Sequence, residues 1–153
     1  MDNEALRHFI SERVPGAEIG QGPQFLTATV PAVNARALLH DLRHDPNTQF
    51  DFLFCLTGVD YPPDHMMVVY HLRSTVWGHH LVVKSRIPTR ENPETDTVCD
   101  LWRTAEFHER EVYDLFGITF RNHPDLRRLL LTDDWVGHPL RKDYSDPVNL
   151  IEY

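Results

Sequence analysis

The densest group of chemically active side chains is the stretch EFHEREVYDLFG, residues 106–117. It holds four acids, one arginine and one histidine within twelve residues. Carboxylates beside an imidazole are typical of a metal site or of a general acid and base. The letters HERE do not complete the zinc motif HExxH, because Val112 occupies the place of the second histidine. The stretch therefore does not predict a zinc protease of that type.

The same stretch reads as an amphipathic helix when residues 102–116 are placed at about 100° per residue. Apolar side chains gather on one face. Glu106, Arg110 and Asp114 gather on the other, and their spacing of four predicts a solvated ladder of ion pairs. Such a ladder stabilises a helix without any further function.

Glu109 is the exception, because it lies in the middle of the apolar face, while Glu111 lies at its edge. A buried lone carboxylate either protonates or finds a cation. We expect Glu109 to attach the C-terminal tail to the helix through an arginine. Partnership with an arginine of another subunit and service as a catalytic acid are the alternatives. The candidate cations of the tail are Arg127, Arg128, Arg141 and Lys142.

The elements around this helix predict an α+β fold with a mostly antiparallel sheet, helices on one face and an extended C-terminal tail. Residues 50–61 are aromatic and β-rich, which favours a central strand, and residues 89–97 are expected to be a polar loop. Gly117 is a plausible stop for the last helix. We expect an α+β domain over residues 1–120 and a tail over residues 121–153 that packs on the domain and on partner subunits. Helices are predicted at 2–14, 31–46 and 98–116, and strands within 17–30 and at 50–61, 65–74 and 79–88.

Composition excludes several classes of protein. The formal net charge of −8 disfavours binding to nucleic acid by bulk attraction. Cys55 and Cys99 are too few for an iron–sulfur cluster and form no zinc pattern. Neither a dinucleotide fingerprint nor a P-loop nor a nucleophile elbow is present in the sequence. The longest apolar runs are far shorter than the roughly 20 residues that cross a bilayer, so membrane attachment is expected only through other chains.

Residues 98–144, VCDLWRTAEFHEREVYDLFGITFRNHPDLRRLLLTDDWVGHPLRKDY, strongly resemble the signature of the C-type subunit of respiratory complex I, the proton-pumping NADH:quinone oxidoreductase. LTGVDYP at 56–62 and LVVKSRIP at 81–88 resemble the same family. The resemblance extends over roughly residues 25–145. It is most specific at EREVYDLFGI, HPDLRRLLL and DDWVGHPLRKDY.

The resemblance implies a non-catalytic peripheral subunit on the cytoplasmic side of the inner membrane. It implies that FMN and the iron–sulfur clusters belong to partner subunits. It also implies that this chain packs on the large quinone-site (D-type) subunit and on the cluster-carrying (B-type) subunit. The assembly would pass electrons from NADH to quinone and translocate protons. The residues carried over as structural or partner-interface residues are Glu109, Arg110, Glu111, Asp114, Gly117, His123, Pro124, Arg127, Arg128, Trp135, His138, Pro139, Arg141, Lys142 and Tyr144.

Two other functions stay open at the level of sequence. The first is the equivalent subunit of a related membrane-bound hydrogenase or ferredoxin-linked dehydrogenase, since one subunit does not fix the electron donor. The second is a stand-alone metal-dependent hydrolase that uses Glu109, Glu111 and nearby histidines. The second predicts stoichiometric metal in the purified chain, although the ligand spacing of known zinc motifs is missing.

Overall fold

The computed structural model describes residues 1–146 and residue 148. The part of the predicted tail at residue 147 and at residues 149–153 lies outside the described residues. The helices are α1 (Asn3–Arg13), α2 (Ala32–His44) and α3 (Ala105–Phe116), and the strands are β1 (Glu18–Gln21), β2 (Leu26–Pro31), β3 (Phe52–Tyr61), β4 (His65–Arg73), β5 (His80–Ile87), β6 (Glu94–Asp96) and β7 (Thr119–Arg121).

The first five strands form one sheet in the order β1-β2-β5-β4-β3. Neighbouring strands are antiparallel except β2 and β5, which are parallel. The hairpin predicted around Trp77 and Gly78 joins β4 to β5, and Gly78 has the positive φ of 74° that favours glycine in a tight turn. The mostly antiparallel sheet is therefore confirmed.

All three helices pack on one face of this sheet. Leu56, Tyr70 and Val83 are paired across β3, β4 and β5, and all three belong to the same buried cluster as the apolar residues of the helices. A Cβ atom at Gly58 of β3 would lie 3.0 Å from a methyl carbon of Val112 on α3. The absence of a side chain at position 58 thus lets α3 lie directly against its strand. The α+β fold with helices on one face is confirmed.

The prediction of a central strand at residues 50–61 is wrong, because β3 is an edge strand. Its outer edge is partly covered by the segment that contains α3. The Leu56 N–H donates to Nδ1 of His108 at 3.0 Å, and the Thr104 hydroxyl donates to the Leu53 carbonyl at 3.0 Å. These side chains satisfy backbone groups that an edge strand would otherwise leave open. An aromatic, β-rich composition therefore indicates a covered strand and does not distinguish a central strand from an edge.

The prediction of an entirely irregular loop at residues 89–97 is also wrong. Residues 94–96 form β6, which pairs in parallel with β7 from the segment after α3. Arg121 of β7 binds Asp96 of β6 with a nitrogen–oxygen distance of 2.9 Å. This small second sheet fixes where the tail begins, and its three-residue strands are too short to show a periodic pattern in the sequence.

Helix α3 is shorter than predicted. It begins at Ala105, while residues 98–104 form turns in which the Trp102 indole N–H donates to the Phe50 carbonyl at 3.0 Å. Gly117 ends the helix in the left-handed conformation with φ 75°, as predicted. None of the helices in the described part of the chain combines the length and the apolarity of a bilayer-spanning segment.

Candidate functional site

Glu109 is fully buried on α3, as its position on the apolar face predicts. Its carboxylate accepts hydrogen bonds from the Thr97 hydroxyl at 2.5 Å, the Val98 N–H at 2.8 Å and the Cys99 thiol at 3.1 Å. Burial raises the pKa of Glu109, although these hydrogen bonds and the nearby His123 work in the opposite direction. The carboxylate therefore holds residues 97–99 against the helix.

The expected pairing of Glu109 with an arginine of the tail is wrong. The tail side chain beside it is His123, whose Nε2 lies 3.8 Å from the carboxylate. The tail does reach Glu109, but through an imidazole. Donors from residues 97–99 already occupy both carboxylate oxygens, and such hydrogen bonds compensate a buried acid without a guanidinium.

Cys99, Glu109 and His123 offer the sulfur, oxygen and nitrogen donors that zinc uses, and these atoms lie within 4.8 Å of one another. Ideal tetrahedral zinc would separate such donors by about 3.4–3.6 Å. The hydrogen bonds of His123, however, do not fit a metal. Its Nδ1 accepts the Asp125 N–H at 3.0 Å, so the proton is on Nε2, which points at the Glu106 carbonyl at 2.9 Å. A metal would have to displace that proton, and the cluster fits a hydrogen-bonded core better.

Cys99 also lines an open cavity of about 610 Å³ beside this cluster. Burial raises the pKa of the Cys99 thiol to about 12, so the thiolate needed for nucleophilic chemistry is scarce at neutral pH. Charges of both signs line the cavity, and Arg36 forms a bidentate pair with Asp100 at 2.6 and 2.9 Å. The arrangement does not assemble an activated nucleophile.

Asp114 is the second buried acid of α3, with no exposed surface. Its Oδ2 accepts the backbone N–H groups of residues 129, 130 and 131 at 3.2, 2.7 and 3.0 Å, and its Oδ1 accepts Nη1 of Arg128 at 2.9 Å. Burial alone would raise the pKa of Asp114, but these donors outweigh it and lower the pKa. The carboxylate thus holds residues 128–131 of the tail in a turn around its two oxygens.

The predicted ladder of solvated ion pairs on α3 is wrong, because Arg110 and Asp114 are buried. Arg110 donates to the carbonyls of Arg127 and Arg128 at 3.2 and 3.1 Å. Arg128 in turn donates to two further tail carbonyls, at residues 135 and 137, each at 3.0 Å. The tail covers this face of the helix, and a helical wheel cannot represent that covering.

A third buried acid, Asp60 of β3, holds the next part of the tail. It receives a bidentate pair from Arg90 at 2.6 and 2.8 Å and the Lys142 N–H at 2.9 Å. The hydrogen bonds from Arg90, assisted by that N–H, lower the pKa of Asp60 against the effect of burial. Arg141 donates to the carbonyls of Phe116 and Arg90 at 2.7 and 3.2 Å.

Gly117 and His138 meet where the tail crosses the end of α3. Nδ1 of His138 lies 2.9 Å from the Asp114 carbonyl, and a Cβ atom at Gly117 would lie 2.6 Å from the imidazole. Position 117 therefore needs glycine for two reasons: the positive φ and the close approach of His138.

The remaining residues that were predicted as site residues make fewer of the contacts between the tail and the domain. Glu111 and Pro124 are exposed, and Arg127 forms an exposed pair with Asp125 at 3.0 Å. Trp135, Pro139 and Tyr144 are half-buried in the tail. The structure thus brings together Arg110, Asp114, Gly117, Arg128 and His138, and separately Glu109 with His123, whereas Glu111 stays apart.

Sequence reasoning missed Asp60 and Arg90. A signal was present, because the alternation of a strand places Asp60 on the same face as Leu56 and Gly58, and that face is the core. An acid on the core face of a strand predicts a cation from elsewhere. The partner could not be chosen from sequence, since Arg90 is 30 residues away.

These contacts define a class of protein: a small α+β domain whose buried acids hold a C-terminal segment on its surface. Comparison with known proteins gives the family of this domain. The family described as "Respiratory-chain NADH dehydrogenase, 30 Kd subunit" matches residues 28–148. The C subunit of the NADH-quinone oxidoreductase of Moorella thermoacetica is 42% identical over 131 residues, which cover 85% of this chain and 86% of that protein.

Two further comparisons concern a longer protein and a solved structure. The C/D subunit of the NADH-quinone oxidoreductase of Phocaeicola vulgatus is 54% identical over 99 residues, which are 65% of this chain but 19% of that protein. This chain therefore matches about a fifth of that C/D protein. A chain of an archaeal respiratory membrane complex, the membrane-bound sulfane sulfur reductase, superposes with a TM-score of 0.77 at 31% identity, over 93% of this chain and 85% of that one. The chain belongs to the 30 kDa subunit family of respiratory-chain NADH dehydrogenase.

Proposed function

We propose that this chain is the non-catalytic peripheral C-type subunit of an NADH:quinone oxidoreductase, on the cytoplasmic side of the inner membrane. Its role is to support the quinone-reducing module while electrons pass from NADH through FMN and iron–sulfur clusters in partner subunits to quinone, with proton translocation. Family membership supports this role. The relatives named as C/D proteins support the large quinone-site (D-type) subunit as a partner. The cluster-carrying (B-type) subunit is proposed as a second partner.

The observation that carries the proposal is the way the tail is held. Its fixed points are backbone groups and charged side chains bound to Arg110, Asp114 and Asp60. Most of its aliphatic side chains point outward, although Leu126 packs against the core. The exposed ones are Leu129, Leu130, Val136, Leu140 and Val148, at 36%, 65%, 87%, 51% and 86% exposure. A rigid surface segment with several exposed aliphatic side chains is typical of a subunit interface.

The test is affinity purification of the tagged chain from its native membranes in mild detergent, followed by mass spectrometry. We expect the D-type and B-type subunits together with NADH- and flavin-binding subunits. Recovery with a nickel-site large subunit instead would assign the chain to the hydrogenase branch. Recovery of the chain alone, with stoichiometric metal, would contradict the proposal.

A matched pair of variants tests the aliphatic surface itself. Leu130→Asp places a charge on the tail, and Val33→Asp places the same charge on α2, where Val33 is 85% exposed. We expect Leu130→Asp to reduce the recovery of the D-type subunit while Val33→Asp leaves it unchanged. Equal recovery with both variants would exclude this part of the tail from the interface.

The proposal includes the expectation that this chain carries no flavin or iron–sulfur cluster. The purified chain should lack absorbance in the visible range and should contain iron and zinc far below stoichiometric amounts, on the order of a tenth or less. Stoichiometric zinc that is lost in both Cys99→Ala and His123→Ala would instead show that the buried cluster binds metal.

A further inference from the structure

The face of the five-stranded sheet that lies opposite the helices is covered by no helix of the described chain. We call it the open face. It is defined by the strand residues that alternate with core residues, including Met67, Val69 and Arg73 on β4 and Val82, Lys84 and Arg86 on β5. Antiparallel sheets often leave one face to solvent, and that face is then mainly polar.

The centre of the open face is aliphatic instead. Met67, Val69 and Val82 lie on neighbouring strands and retain 9%, 6% and 8% exposure. The sequence of β4 is consequently apolar on both sides, which is typical of a strand buried on both faces. The exposed apolar surface of this face lies at its β3 edge, where Phe52 and Phe54 retain 43% and 37% exposure.

The charges around this centre are basic in an acidic protein. Arg73, Lys84 and Arg86 lie on the open face and form no ion pair within the described residues, in contrast to the paired arginines that hold the tail. Among the strand residues of that face the one acid is Glu18, on the outermost strand β1. The face therefore carries a formal charge of 3 − 1 = +2, while the whole chain carries −8.

The size of the face fits a standard protein interface. Five strands at about 4.8 Å spacing are about 24 Å wide, and eight residues at about 3.3 Å are about 26 Å long. The projected area is about 600 Å², near the ~800 Å² per partner of a stable complex. A second copy of this chain is a poor occupant, because a two-fold pairing would oppose the same basic residues.

We propose that the open face docks an acidic surface of a neighbouring subunit, with an apolar group that covers Phe52 and Phe54 and a rim of Asp or Glu that pairs with Arg73, Lys84 and Arg86. This inference rests on the proposed function, since it assumes that the chain works within a membrane complex. It assigns a second contact surface, on the side of the domain away from the helices.

Zero-length carbodiimide cross-linking of the intact complex tests the proposal, because this reagent joins an amine to a carboxylate in direct contact. The sequence contains two lysines, Lys84 within the open face and Lys142 in the tail, whose ammonium lies 5.9 Å from the centre of the Tyr61 ring at the end of β3. Peptide mapping distinguishes cross-links at the two sites. We expect Lys84 to be joined to an Asp or Glu of another subunit. Lys84→Arg keeps the charge and is expected to abolish this product without loss of any subunit.

Charge reversal supplies the second readout. Arg73→Glu with Arg86→Glu reverses the open face, and Arg43→Glu with Arg103→Glu makes the same change on the side of the helices. We expect the first pair to lower recovery of the cross-linked subunit at least about tenfold at 150 mM salt and the second to leave it unchanged. Thermal melts of both double variants exclude a folding defect as the cause.

The outcomes separate the two proposals. Cross-links through Lys142 alone, with full recovery of all subunits in the open-face variant, would overturn the open-face inference and leave the proposed function standing. Recovery of no partner at all would overturn both. Retention of poly(U) RNA by the purified chain at 150 mM salt, lost on reversal of Arg73 and Arg86, would assign the face to nucleic acid and refute a protein partner.

Discussion

Asp114→Asn is the most informative single substitution, because it changes one atom at the point where the tail meets α3. The asparagine amide has one acceptor oxygen and one donor group. If the oxygen faces the N–H groups of residues 129–131, the amide NH₂ faces the guanidinium of Arg128, and that cation loses its carboxylate partner. The reverse orientation leaves three N–H groups without an acceptor.

Removal of one partner from a buried pair costs about 3–5 kcal/mol. Asp114 is fully buried, and the Arg128 side chain retains 13% exposure, so this range applies with little discount for solvent screening. For a chain of this length we expect the midpoint of thermal unfolding to fall by roughly 10 °C. Glu111→Gln on the same helix is the matched control, since Glu111 is exposed and such changes usually alter stability by about 0.5 kcal/mol or less.

The same carboxylate gives the prediction a pH dependence. The folded-state pKa of Asp114 is lowered, so its stabilisation is fully present above the unfolded pKa of about 3.9 and is lost as the pH falls through the folded pKa. The gap in unfolding free energy between the wild type and Asp114→Asn should be constant above about pH 5 and should close below about pH 4. Denaturant melts between pH 3 and pH 7 measure this gap.

Hydrogen exchange distinguishes loss of the tail from loss of the whole domain. We expect Asp114→Asn to remove protection from the amides of residues 129–131, including in conditions where the sheet stays protected. If Asp114→Asn matches Glu111→Gln in the melts and in the exchange of these amides, the assignment of Asp114 as the anchor of the tail is refuted.

Substitutions at Gly117, Glu109 and Asp60 also test the site. Gly117→Ala should cost about 2 kcal/mol more than Gly78→Ala in melts, because both glycines have a φ near 75° but only position 117 meets a neighbouring side chain; equal losses would remove His138 from the explanation. Glu109→Gln should cost about 1 kcal/mol and Glu109→Ala about 3 kcal/mol, since glutamine keeps an acceptor for the Val98 N–H; a larger loss for glutamine would indicate that an ionised Glu109 is essential. Asp60→Asn should destabilise the chain by about 3 kcal/mol above pH 5 and less below pH 4, as the lowered pKa requires, and a loss independent of pH would refute the ion pair.

The fold was predictable from sequence where a single hydrophobic core determines the spacing of the apolar residues. The helix at residues 3–13 buries Leu6, Phe9 and Ile10 as their spacing predicts, and the hairpin around Trp77 and Gly78 forms as expected. The prediction failed where a second surface covers an element. The polar face of α3 is covered by the tail, and the edge of β3 is covered by His108 and Thr104. The spacing of polar residues in a sequence indicates that a side chain has a polar environment. It does not indicate whether that environment is water or another part of the protein.

The sequence singled out some of the residues that hold the tail but did not predict their pairings. Arg110 and Asp114 of the stretch 106–117 bind the tail, whereas Glu109 accepts hydrogen bonds from residues 97–99. Each pairing depends on where the chain returns after Gly117, a three-dimensional fact that local spacing does not contain. For the same reason, local spacing did not predict the pair between Asp60 and Arg90.

Because polar groups hold the tail on the domain, most of its aliphatic side chains can remain exposed. A segment that binds its own domain by burying its leucines has none left for a partner. Here Asp114 binds the tail through backbone N–H groups and Arg110 binds it through carbonyls, so Leu126 alone of the tail's described leucines is needed against the core. Leu130 and Val136 therefore remain exposed on a segment that hydrogen bonds hold in place. Since their order is established before association, little conformational entropy is lost when a partner covers them, which favours a stable interface from a short segment.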